Sequence, residues 1–171
     1  MKTSLRQNVI DYIRKTYQAE IEYLWMRYPE YGIFRHKDNQ KWYALMMDVP
    51  RAKLGLKGYE IIDVLNVKLG DFFMRDFLIQ REGFLPGYHI SRGNRISILL
   101  DGTVELDEVC HLIDVSYQVT ASAKTKQAIR PPKVLFRTLY AGKSVRYRQI
   151  QCPLALMEKD ENRVRIHEAF S

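Results

Sequence analysis

The residues of this chain best suited to metal or nucleophile chemistry lie scattered. Histidines stand at 36, 89, 111 and 167, and cysteines at 110 and 152. Structural zinc needs such ligands in closely spaced pairs, and these positions provide none. Neither cysteine belongs to a Cys-x-x-Cys pair, and a disulfide framework needs more of them. Cys110 falls within an apolar helical pattern and reads as a small buried hydrophobe. Gly142-Lys143-Ser144 imitates the end of a phosphate-cradling loop, but that loop needs a glycine at 137, where Arg137 stands. Gly-x-Ser-x-Gly, His-Glu-x-x-His and Gly-x-Gly-x-x-Gly do not occur. The expectation is a protein that is not an enzyme and uses no cofactor, metal or small-molecule substrate.

What remains is positive charge at turns, and its chemistry is contact with phosphate. Arg35, His36, Lys37 and Lys41 flank the polar turn from His36 to Gln40. A second group lies in "GYHISRGNRISILLDG", Gly87 to Gly102: His89, Arg92 and Arg95 supply charge, and Tyr88 supplies a ring for stacking on a base. Gly93-Asn94 permits a tight tip there. The formal charge is +7, yet Met1 to Ala121 holds 16 basic and 16 acidic residues. The excess lies in Ser122 to Ser171, with 11 basic against 4 acidic. Ser122 to Ile150 contains no acid and includes Lys124, Lys126, Arg130 and Lys133. This asymmetry predicts a neutral domain over residues 1–121 and a basic C-terminal extension over 122–171. The plainer alternative is that charged hairpin tips are solvated and merely block aggregation.

Hydrophobic patterning supplies the elements that must position these side chains. Leu5, Val9, Ile13, Tyr17, Ile21, Leu24 and Tyr28 recur at helical spacing, and Pro29 marks the expected end. Gly32–Arg35 and Lys41–Val49 read as strands, the second alternating Trp42, Ala44 and Met46 with Tyr43, Leu45 and Met47 as if buried on both faces. A further strand spans Glu60–Lys68. Asp71 is an N-cap for a helix from Phe72 to Arg81, closed by Gly83, with Phe73 and Phe77 beside Met74 and Leu78 on its core face. Extended stretches follow at Phe84–Ile90 and Arg95–Leu100. Val109, Leu112, Ile113, Ser116, Tyr117 and Thr120 trace a final helix. The order α-β-β-β-α-β-β-α predicts an α+β fold with an antiparallel sheet covered by helices on one face. Trp42, Leu65, Phe77, Phe84, Ile98 and Ile113 are the expected core. No stretch has the ~18 apolar residues of a membrane span, and the N-terminus lacks a signal-peptide pattern. A cytoplasmic protein is expected.

"PEYGIFRHKDNQKWYALMMDVPRAKLGL", "DVLNVK", "EGFLPGYHISRGNRISILLDG" and "LIDVSYQVT" resemble, in order and spacing, the MmcQ/YjbR family, from the first helix to about Thr120. The resemblance implies a CyaY-like, frataxin-type layer of helices on an antiparallel sheet. Members are commonly labelled DNA-binding from a double-wing arrangement of loops, which here correspond to the two basic turns. The family usually has a tryptophan just before the "SI-LDG" strand, and this chain has Arg95 and Ile96 there. A frataxin-type iron site would need a dense acidic ridge on the first helix; Asp11, Glu20 and Glu22 are instead mixed with Arg6, Arg14 and Lys15. After Arg130-Pro131-Pro132-Lys133 the chain departs from the family.

Beside an enzyme or metal-handling role, which no motif favours, two functions stand. One is weak DNA binding, dominated by phosphate contacts at the hairpin tips and the basic tail. The other is a non-enzymatic protein–protein interaction module, favoured if Tyr31, Tyr43 and Tyr88 are exposed.

Overall fold

A computed structural model of the protein describes residues 4–90 and 93–128. The chain divides into two units, Met1–Arg130 and Pro131–Ser171, and the described architecture lies in the first. Ser4 opens helix α1 (Leu5–Tyr17) by accepting a hydrogen bond from the Gln7 amide, and Val9, Ile10 and Ile13 are buried along it. The helix stops well short of Tyr28. Gln18 turns left-handed at φ 51°, and its N–H closes on the Arg14 carbonyl. Arg14 then reaches Glu20 Oε1 and Oε2 at 2.9 and 3.1 Å. Beyond this turn Glu22–Tyr23 form a two-residue strand, β1, paired with β2 (Gly32–Arg35). Leu24 and Tyr28 are about half exposed, so a longer helix would have had no face to bury there. Strand pairing wins over the helical spacing.

The sheet is antiparallel, in the order β1-β2-β3-β4-β6-β5, where β3 is Trp42–Pro50, β4 Ile61–Lys68, β5 Phe84–Pro86 and β6 Arg95–Leu99. Helices α2 (Phe72–Leu78), α3 (Leu106–Thr120) and α4 (Ala123–Ala128), with a short 3-10 helix at Arg51–Leu54, complete the described fold. This α+β architecture contains the expected series of elements plus β1 and α4. Val9 and Ile13 of α1, and Val109, Leu112 and Ile113 of α3, share one core with Phe34, Met46, Leu65, Val67, Ile96 and Ile98 of the sheet. On the other face Ile33, Leu45, Met47, Val64 and Leu99 are covered by loop residues including Leu54, Leu56, Tyr88 and Ile90. Loops thus bury the second face that the continuous apolar run of β3 requires.

Leu65, Phe84, Ile98 and Ile113 are core residues as expected, whereas Trp42 is half-buried and Phe77 is 53% exposed. The error lies in the rotation of α2. Asp71 caps it, accepting from the Met74 amide at 2.7 Å, but it ends at Leu78, short of Arg81. Phe73/Phe77 and Met74/Leu78 have the same four-residue spacing, so periodicity alone cannot choose between them. The fold turns Leu78 inward with Met74 half-buried, leaving Phe73 89% exposed.

A β-bulge corrects the alternation in β3. Phe34 pairs with Ala44 but Arg35 pairs with Trp42, so Tyr43 is the extra residue. Tyr43 joins Ala44 and Met46 on the helix side, and Trp42 goes to the loop side with Leu45 and Met47. Ser116 on α3 secures this irregular ladder. Its hydroxyl donates to the Tyr43 carbonyl at 2.5 Å and accepts from the Lys68 amide at 2.8 Å.

Candidate functional site

The bulge sends Trp42 to the end of the sheet where β3 begins, β4 ends and β6 begins. Lys68 stands directly opposite Arg95 in the β4–β6 register. Like charges directly opposite destabilise a sheet, and no described acid forms an ion pair with either residue. The Arg95 guanidinium lies 3.5 Å from the centre of the Trp42 ring, a cation–π contact. These residues, with Lys41, Val119 and Thr120, line a cleft of about 200 Å³ that contains no acidic side chain. Arg95 Nη1 is buried there without a hydrogen-bond partner among the described residues. Burial lowers the Arg95 pKa to about 10, so the group is still charged at neutral pH. The cleft therefore presents three cations, one held rigidly against an indole.

The loop before Arg95 is fastened from below. Asn66 and Ser97 are both buried in the sheet. Ser97 Oγ donates to Asn66 Oδ1 at 2.5 Å and accepts from the Tyr88 amide at 2.8 Å, while Asn66 Nδ2 donates to the Tyr88 carbonyl at 2.9 Å. Gly87 permits the tight turn there: a Cβ on it would lie 2.6 Å from the Ile90 carbonyl oxygen. At the other end of the loop the Asn94 carbonyl accepts from the Leu69 amide at 2.7 Å, just beyond Lys68.

Several residues expected at the two tips have other roles. Arg35 pairs with Glu22 at 3.3 Å, so its charge is already compensated. His36 is only 2% exposed and cannot reach a phosphate. Thr120 Oγ1 donates to the Ser116 carbonyl at 2.7 Å, so it accepts from His36 Nε2 at 2.9 Å, which assigns a proton to Nε2. Asn39 Nδ2 donates to the Thr120 carbonyl at 3.0 Å, and Asp38 Oδ2 accepts from Ser122 Oγ and Thr125 Oγ1. These two bonds hold the Asp38 carboxyl at a pKa of about 2. The first turn is thus a clamp on the junction of α3 and α4, with Lys37 and Lys41 its exposed cations.

In the second group Arg95 points inward against Trp42, contrary to the outward orientation its turn position predicts. His89 is exposed and Tyr88 half-buried beside it, their rings 4.0 Å apart. Lys124 and Lys126 are exposed on α4. Arg92, Arg130 and Lys133 lie outside the described residues. Lys68 and Trp42 were missed as site residues because both sit in strand-like patterns. Only the strand register, which places Lys68 opposite Arg95, could have identified the first.

Burial pushes the Cys110 thiol up to about 12, which suits a packed side chain and not a nucleophile. No group of three or more metal-ligating side chains occurs among the described residues. Among the described residues no helix is long and apolar enough to cross a membrane.

Burial also lowers the pKa of His36, as nearby Lys41 does more weakly, against opposing effects of Asp38 and the Tyr117 backbone. The unfolded chain therefore binds a proton at His36 more readily than the folded one. Stability from this group is complete above the ordinary histidine pKa of about 6.5 and falls as pH drops below it. The melting temperature is expected to decrease between pH 7.5 and 5, and His36→Gln should flatten that slope. Parallel melting curves of equal slope would exclude His36 as a source of acid lability.

A family model described as YjbR matches residues 14–119. The uncharacterized protein YyaQ of Bacillus subtilis (strain 168) is 38% identical over 115 residues, spanning 67% of this chain and 97% of its own. The crystal structure of a Pseudomonas syringae protein is also 38% identical, with a TM-score of 0.65 over 68% of this chain and 98% of that one. The crystal structure of a Deinococcus radiodurans protein shares the fold at 19% identity, with a TM-score of 0.52 over 76% and 89% of the two chains. The match covers the helices and strands that build the cleft, from Arg14 to Val119, and on it the chain belongs to the MmcQ/YjbR family.

Proposed function

We propose that this protein binds nucleic acid in the cytoplasm, without catalysis and with little sequence preference, through phosphate contacts at the cleft and along the basic C-terminal region. The acid-free grouping of Lys41, Lys68 and Arg95 carries this reading. Two of these cations oppose each other across a sheet at an energetic cost, which an arriving anion removes. The end of α3 also lies at the cleft, but a helix C-terminus amounts to about half a negative charge and cannot account for three cations. We also read the helix-on-sheet layering as CyaY-like, with the boundary between the body and the basic extension after Ala121.

Single Met substitutions at Lys41 and Lys68, then the pair, test the reading in the full chain by fluorescence anisotropy with labelled DNA. The pair should weaken binding of every sequence alike and reduce the slope of log K against log salt by about 2, roughly 0.9 per lost phosphate contact. An unchanged slope in a folded double variant would eliminate the cleft as a phosphate site.

The interaction-module reading loses its original support, because Tyr43 is buried and Tyr31 and Tyr88 are half-buried. It gains the exposed Phe72 and Phe73 on α2 as a candidate partner surface.

A further inference from the structure

Resting on the nucleic-acid reading, we propose that the cleft seats a terminal phosphomonoester, the phosphorylated end of a strand, in preference to the diester phosphates along it. Shape is the first argument. The cleft is concave and about 200 Å³ in volume, below the roughly 300–1,000 Å³ of pockets that bury a drug-sized ligand. That accommodates a phosphate group with some of its water, and a nucleoside attached to it would extend out of the cleft. An internal phosphate has a sugar on both sides and would have to drag both into the recess. A terminal one enters head first, with the chain trailing outward.

Charge is the second argument. A diester carries one negative charge, whereas a monoester carries about 1.5 to 2 at neutral pH, its second pKa being about 6. Lys41, Lys68 and Arg95 line the recess without an acid, so the more highly charged group gains more. Donor geometry is the third. Arg95 Nη1 is buried and unpartnered among the described residues, while its guanidinium carbon lies over the Trp42 ring, 3.5 Å from the ring centre. A guanidinium held this way gives a phosphate oxygen a preset partner without further loss of side-chain freedom. Trp42 itself is half-buried, and a ligand that draws Arg95 off the ring would change its emission.

The full chain is titrated by anisotropy with short single-stranded oligonucleotides ending in a 5′-phosphate, a 3′-phosphate or hydroxyls only. Inorganic phosphate is titrated separately against Trp42 fluorescence in a Trp25→Phe background. One phosphorylated end should bind about tenfold more tightly than the hydroxyl-ended strand. That advantage should grow as pH rises through about 6 and vanish in Arg95→Met and Lys68→Met, which weaken binding of the hydroxyl-ended strand by less. Equal binding of all ends, with no response of Trp42 to phosphate, overturns the terminal-phosphate seat and leaves general nucleic-acid binding standing. A Trp42 response without binding of any strand overturns the strand-end seat, leaves a site for free phosphate and removes the nucleic-acid reading. Neither response removes both.

Discussion

Replacing Asn66 with alanine is expected to destabilise the protein by about 3 kcal/mol, in spite of the small volume lost. Asn66 is fully buried and, among the described residues, is the one side chain bonded to both the Ser97 hydroxyl and the Tyr88 carbonyl. Its removal strips Ser97 of its acceptor and Tyr88 of a donor. A buried polar group left unpaired costs roughly 1–3 kcal/mol, far more than the net value of a typical hydrogen bond. The effect should reach the cleft, because the same network holds the loop that leads to Arg95. Urea denaturation would measure the loss, and hydrogen exchange at the Tyr88 amide should accelerate along with it. Ser97→Ala added to Asn66→Ala should cost much less than the two changes summed, since the pair acts as one unit. A loss below 1 kcal/mol would mean that water replaces the amide and that the loop is held elsewhere.

Arg95→Met is expected to do the opposite and stabilise the fold by about 1 kcal/mol. Holding an arginine whose pKa is lowered from 12.5 to about 10 corresponds to roughly 3 kcal/mol of unfavourable burial at neutral pH. Partial exposure screens this, and stacking on Trp42 returns ~1 kcal/mol or more. Lys68 opposite adds repulsion that methionine would relieve. Methionine retains the packing against the indole, so the net change favours the variant, and its melting temperature should rise by a few degrees. Stability raised together with anion affinity lost is the behaviour of a residue kept for binding. A destabilised Arg95→Met would instead identify the arginine as a structural prop for Trp42.

The elements of this fold were legible because most of them are simple cases. Strands β3, β4 and β6, the Asp71 cap and the α3 stripe all follow from local pattern and capping. The failures have a common cause, which is that they depend on neighbours distant in sequence. Gln18 ends α1 because the chain beyond it pairs with β2. Met74 and Leu78, not Phe73 and Phe77, pack on the core formed by distant residues of the sheet and of α1 and α3. The bulge at Tyr43 inverts the facing of Trp42, and period-two reading has no means of sensing an inserted residue. The cleft shows the same limit. Its cations were noticed as turn charges, but their grouping depends on the register of β4 against β6, and His36 proved to be a buried strut. Sequence supplied the residue types, and strand pairing decided which of them meet.

The unequal lengths of the strands have a consequence for association. A sheet bounded by long, flat outer strands invites another chain to continue it, with amyloid-like growth as the extreme result. Here one border is the two-residue β1 and the other is β5, three residues long and closed by Pro86, which has no amide hydrogen to donate. The well-populated ladders of β3, β4 and β6 are all interior. An incoming peptide would find too few free backbone groups to add itself as a strand at either border of the described sheet. The same truncation lets the core strands be strongly apolar on both faces while the described sheet offers no long free edge for pairing.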